Sequence, residues 1–117
     1  MDLVDRGIII VRKKQPYLDW VRNLPDPDYD VTLQRLNADS TAYLIPLFDD
    51  YQEGESFIKE NYRLIFEHEL NGWHLDEKDW PRDRTYKRFK EWFDIELHSM
   101  ALDLVQGDIE KEEFEEL

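Results

Sequence analysis

The chain has 117 residues, with 15 basic and 28 acidic side chains and no cysteine, which is one domain's worth of polypeptide. A chain of this length buries about two thirds of its unfolded surface, enough for a core without metal or disulfide staples. The absence of cysteine excludes thiol nucleophiles, disulfides and cysteine-held metals, and four Trp, six Tyr and six Phe argue against intrinsic disorder.

Asp2 and Asp5 precede Ile8-Ile9-Ile10-Val11, an apolar run too short for a signal-peptide core or a membrane span. A soluble, cytoplasmic chain is the expectation. The β-branched run 8–12, after Gly7, reads as a strand apolar on both faces and central to a sheet. Pro16 suits the first turn of a helix that offers Leu18, Trp20, Val21 and Leu24 for packing and stops at Pro25 and Pro27. A stiff acidic connector, Pro25 to Asp28, leads to a short helical turn over 32–36.

Thr41 to Phe48 reads as a well-buried strand that Pro46 pushes toward a sheet edge. From Gln52 to Leu70, Ile58, Tyr62, Ile65 and Phe66 recur at helical spacing, while Glu53, Glu55, Glu60, Glu67 and Glu69 mostly lie elsewhere on the cylinder. Gly72 looks like the left-handed stop of that helix. Trp73 to Pro81 is an irregular aromatic segment that packs by its indoles. Asp83 or Thr85 then caps a helix over 84–91.

The stretch 92–105 supports two periods. As a helix it carries an apolar stripe through 89, 92, 93, 97, 100, 101, 104 and 105 that only Glu96 breaks. As a strand, Phe93, Ile95 and Leu97 alternate with Asp94 and Glu96, and Met100, Leu102 and Leu104 continue that face after a bulge at His98-Ser99. Ile95 and Leu102 fall outside the helical stripe and inside the strand face, and a sheet of two strands would be marginal, so the strand is preferred. Gly107-Asp108 then turns the chain into an acidic terminal helix or tail with Phe114 as its one large anchor. The expected class is α+β: a small three-stranded sheet with helices packed on it, in the order β-α-β-α-α-β with a short helical turn before the second strand. Residues 1–105 form one globular domain and 106–117 an acidic C-terminal tail or short helix; one helix over 84–105 would make the fold mostly α.

The run from Ile8 through Pro16-Tyr17-Leu18-Asp19-Trp20, the segment Thr41-Ala42-Tyr43-Leu44-Ile45-Pro46, and the block Trp80-Pro81, Arg84, Trp92-Phe93-Asp94-Ile95 and His98-Ser99 resemble a group of small, uncharacterised bacterial proteins. The likeness spans most of the chain. It implies a small cytoplasmic bacterial protein and assigns no activity, cofactor or catalytic residue.

Net charge is −13 and unevenly placed. Asp26 to Glu77 holds thirteen acidic and three basic residues, whereas Lys78 to Lys90 holds six basic and two acidic. An anionic field repels phosphate, so direct nucleic-acid binding is not expected, and a basic protein partner fits better. The cations of 78–90 neutralise the acidic surface within one molecule or between two copies, which makes a homo-oligomer a side hypothesis.

Three places offer chemistry. On the strand reading, Asp94, Glu96 and His98 share one side and form a carboxylate–imidazole row suited to proton transfer or a hard metal; the same alternation also describes an ordinary solvent face. Trp73, His74, Asp76, Trp80 and Arg84 offer aromatic and polar groups to a small ligand. His68-Glu69 begins like a zincin helix, but the next histidine, His74, falls six residues on rather than four, and no metal or other cofactor is expected. Ser99 beside His98 lacks both the shared face and the glycine elbow of a hydrolase nucleophile.

The charge asymmetry favours a non-enzymatic protein-binding or regulatory module whose acidic surface, the 26–50 loops, the 53–69 helix and the tail, meets a basic protein. A nucleic-acid mimic that inhibits a DNA-binding protein is a special case. A small metal-dependent or acid/base enzyme using His98, Asp94 and Glu96, with His74 or Asp76, is the competing class, and a small-ligand binder the third.

Overall fold

In the computed structural model, which describes residues 1–114, the chain runs β1 (Asp2–Val4), β2 (Gly7–Lys13), α1 (Gln15–Arg22), α2 (Leu33–Leu36) and β3 (Ala42–Ile45). It continues through α3 (Tyr51–Asn71), a 3-10 turn (Glu77–Asp79), α4 (Tyr86–Trp92), β4 (Phe93–His98) and β5 (Ala101–Asp103). This is an α+β fold with two sheets, a three-stranded one ordered β3-β2-β4 and a two-stranded ribbon of β1 and β5.

The β-branched run makes β2 the central strand, antiparallel to both neighbours, with Ile9 facing Tyr43 on one side and Leu97 on the other. Alternation puts Gly7, Ile9 and Val11 on the covered face, while Ile8, Ile10 and Arg12 lie half-buried on the opposite one. The expectation of a strand covered on both faces is therefore half met: β2 is central, yet the helices cover one side. Against that side pack Tyr17, Val21, Phe66, Leu70, Phe89 and Phe93, all essentially inaccessible to water. Phe66 meets Phe93 edge to face, with ring centroids 5.3 Å apart.

Local chemistry sets the helix starts. Thr32, Asp50 and Thr85 each accept a backbone N–H from the first turn of α2, α3 and α4 respectively, so Thr85 rather than Asp83 caps α4. Two glycines permit close approach. A Cβ at Gly7 would stand 2.7 Å from the Phe48 ring, and one at Gly54 would stand 3.1 Å from a Leu97 methyl.

Several expectations are corrected. Gly72 has φ −64° and ψ −20°, a right-handed conformation, because the Trp73 and His74 N–H groups carry the turn onward onto the Leu70 carbonyl. Among the described residues, positive φ falls at Asp26 and Gly107. β3 stops at Ile45, since Pro46 has no N–H to donate. The helix over 84–91 ends at Trp92, and the strand reading holds from Phe93. Met100, Leu102 and Leu104, expected to extend the buried face, are 65%, 50% and 79% exposed. Leu102 lies on the ribbon and Met100 and Leu104 flank it, and the alternation alone does not reveal that ribbon as separate from the covered sheet. Residues 104–114 form no helix, and Phe114 is exposed, its ring 5.6 Å from that of His68; residues 115–117 of the expected tail lie outside the described residues.

The ribbon continues the β2–β4 pair with a one-residue offset. Ile8 faces His98 and Val4 faces Ala101, so residues 5–7 stand opposite 99 and 100 alone. The extra residue thus sits on the first strand, not at His98-Ser99, and an offset of this kind bends a strand pair and re-aims the residues beyond it. No helix of the described residues is long and apolar enough to cross a membrane.

Candidate functional site

The polar row is brought together on the uncovered face. Asp94, Glu96 and His98 alternate along β4 and are all exposed. Glu96 bonds Arg12 from the central strand and lies 3.3 Å from His98 Nε2. The hydrogen bond from His98 and the Arg12 charge hold the Glu96 carboxyl below the ordinary range. Asp94 stands 4.0 Å from the Lys14 ammonium. The row is a chain of surface ion pairs open to water, with each carboxylate already facing a cation.

The aromatic segment is also assembled, on internal partners. Trp80 is buried and donates its indole N–H to the His74 carbonyl at 2.8 Å, while His74 Nε2 sits 2.8 Å from an Asp79 oxygen. Asp76 accepts the Lys78 backbone N–H at the head of the 3-10 turn, which lowers its carboxyl pKa. Arg84 donates to the Pro81 carbonyl and to Glu67, with its guanidinium 5.7 Å from the Trp80 ring centroid. Of the five ligand-binding candidates, Trp73 and Asp76 are exposed, Trp73 to 38%. Among the described residues no group of three His, Asp or Glu is placed to hold a metal.

A third place was not singled out by the sequence. A cleft of about 270 Å³ opens where β2 meets α1, between α2 and the last turn of α3. Tyr17, Val31, Leu36 and Trp73 form its apolar walls, and Lys13, Arg35, His68 and Glu69 its charged and titratable ones. Glu69 is 4% exposed, and among the described residues its Oε1 accepts no hydrogen bond. Lys13 Nζ stands 3.8 Å from that oxygen, and His68 Nδ1 3.5 Å from the other. Both separations exceed normal hydrogen-bond length. His68 Nδ1 also lies 2.8 Å from the Tyr43 hydroxyl. Behind them the Tyr17 hydroxyl donates to the Glu69 carbonyl at 2.7 Å, and burial followed by the Glu69 charge pushes the Tyr17 phenol upward.

A signal for Glu69 exists in the sequence. It lies four residues after Ile65 and three after Phe66, which places a carboxylate inside the apolar stripe of α3 rather than on its acidic face. Lys13 and Arg35 come from other elements and carry no such local mark.

The fourth feature is the ribbon. Leu3 and Leu102 are direct cross-strand partners, 65% and 50% exposed, and Met1 and Leu104 beyond them are more exposed still. Among the described residues no further strand pairs with either edge. Compared with protein families, curated proteins and solved structures, the chain matches none.

Proposed function

We propose that this chain is a non-enzymatic protein-binding module that engages a basic protein through the β1–β5 ribbon. The observation that carries the reading is the ribbon itself: paired apolar side chains in water on a strand pair whose two edges are open among the described residues. Large exposed apolar groups and unpaired strand edges both favour association, and soluble proteins ordinarily blunt such edges with charge or cover. The surrounding chain supplies the sign of the partner. Residues 1–6 and 99–114 hold seven carboxylates against the cations Arg6 and Lys111, so a partner with a basic rim around an apolar patch is complementary.

The test compares the full-length chain with a Leu3→Asp/Leu102→Asp variant as immobilised baits in a bacterial lysate. Both side chains are exposed, so the variant should melt with the wild type. The expected result is one basic protein retained by the wild type, released as salt rises, and missing from the variant. Retention of the same protein by both baits, or no basic protein on either, overturns the reading. A wild-type dimer in sedimentation that the variant dissociates overturns it too, in favour of a second copy as occupant.

A further inference from the structure

The cleft at Glu69 is independent of the ribbon and asks for a ligand of its own. A buried carboxylate is stable when its oxygens accept hydrogen bonds or meet a close cation. Among the described residues Oε1 accepts no hydrogen bond, and its one cation, Lys13 Nζ, pairs with it at a long 3.8 Å. The other buried polar atoms without partners, Arg22 Nε and Arg84 Nε, belong to guanidinium groups that donate elsewhere, to Val31 and to Pro81 and Glu67. Glu69 therefore differs from them in that it lines a cleft while one of its buried oxygens leaves its hydrogen-bonding capacity unused. At the same cleft Arg35 is exposed, and among the described residues its guanidinium forms no ion pair. One wall asks for a donor with positive charge and another offers positive charge to an acceptor, while Val31, Leu36 and Trp73 present apolar surface between them.

We propose that this cleft binds a small zwitterion of the α-amino-acid class with an apolar side chain, its ammonium on Glu69 and its carboxylate on Arg35. The size agrees. Pockets for drug-sized ligands start at roughly 300 Å³, and about 270 Å³ suits a smaller metabolite. Lys13, near Glu69 and 5.2 Å from the Tyr17 ring centroid, keeps the unliganded carboxylate neutralised without occupying its oxygen.

The experiment is calorimetric titration of the full-length chain with L-leucine and L-phenylalanine, each beside its decarboxylated amine and its deaminated acid. At least one amino acid should bind with a millimolar or tighter Kd, and both of its analogues about tenfold or more weakly. Glu69→Gln, which keeps the side-chain shape, should lower affinity for the amino acid by about tenfold or more. Arg35→Ala, a substitution at an exposed position, should bring the amino acid down to the affinity of its amine. Heats of dilution alone for both amino acids overturn the proposal, as does unchanged binding in Glu69→Gln. Equal binding of amine and amino acid, with no effect of Arg35→Ala, overturns the zwitterion in favour of a simple cation. A crystal structure grown with the amino acid that shows only a water on Oε1 overturns it as well. Should Glu69→Gln fail to fold, the analogue series and Arg35→Ala decide alone.

Discussion

Replacing Tyr17 by Phe removes one oxygen atom and tests how the buried end of α3 is closed. The last carbonyls of a helix have no partner within it. Here the backbone N–H groups beyond α3 go to His68 and Leu70, which leaves the Glu69 carbonyl to the Tyr17 hydroxyl at 2.7 Å. Phe keeps the ring and its neighbours, Trp20 at 5.2 Å and Phe93 at 5.9 Å between centroids, so packing is conserved and the hydrogen bond alone is lost. A buried carbonyl left unsatisfied costs about 1–3 kcal/mol. At this chain length ~2 kcal/mol corresponds to a fall in Tm of roughly 6–12 °C. Urea unfolding monitored by tryptophan emission should show a lower midpoint with an unchanged slope. A loss below about 0.5 kcal/mol, the scatter of surface substitutions, would refute the assignment of that bond.

The same substitution has a pH signature. The folded phenol ionises well above its ordinary range because of burial and the nearby Glu69 charge, so above pH about 10 the unfolded chain releases this proton while the folded chain keeps it. The folded state then binds more protons than the unfolded, and stability falls as pH rises. The contribution is fully present below the unfolded pKa and declines above it by about 1.4 kcal/mol per pH unit. The difference in stability between wild type and Tyr17→Phe should therefore shrink by about 1 kcal/mol between pH 10 and 11, where the unfolded phenol is only partly ionised; a constant difference would mean that Tyr17 titrates as readily in the fold as out of it.

Gly7→Ala puts a methyl 2.7 Å from the buried Phe48 ring and should destabilise by about 1–3 kcal/mol in urea; a neutral or stabilising result would mean that the ring yields freely. Thr85→Ala removes the cap that accepts the Arg88 N–H at 3.1 Å and should lower stability by about 1 kcal/mol, with Thr85→Ser restoring most of it and no loss in Thr85→Ala refuting the cap. For the surface row, carboxyl NMR should place the Glu96 midpoint below that of an ordinary glutamate, and His98→Ala should move it upward, His98 being the largest cause of its depression; an unmoved midpoint would assign the effect to Arg12.

Elements that carry their own signal were legible in the sequence. The β-branched run of β2, the proline at the head of α1, the long stripe of α3 and the alternation Phe93, Ile95, Leu97 each fix a local conformation whatever the rest of the chain does. β1 carries no such signal. Asp2-Leu3-Val4 is too short to show a period, and its partner Leu102 lies at the other end of the chain, so the pairing exists through tertiary structure alone. The same holds for the Glu69 cleft. Its carboxylate was visible as a polar residue in an apolar stripe, but Lys13, Arg35 and Trp73 meet it because β2, α2 and the segment after α3 converge there.

One physical asymmetry connects the row and the ribbon. The larger helices share one face of the three-stranded sheet, so the opposite face must be made compatible with water by side chains. Over β2 and β4 it is: Arg12 opposes Asp94 in register and bonds Glu96, and Lys14 approaches Asp94, which surrounds Ile8 and Ile10 with paired charge. Such exposed pairs add little stability, but they keep the sheet face hydrated. Beyond His98 the arrangement stops. The next cross-strand pair of large side chains is Leu3 with Leu102, without an opposing charge at its own register, and Asp2 faces Asp103 where two like charges repel. A ribbon built this way is held together weakly by its own side chains, and both its apolar surface and its acidic pair gain from contact with an apolar, positively charged surface.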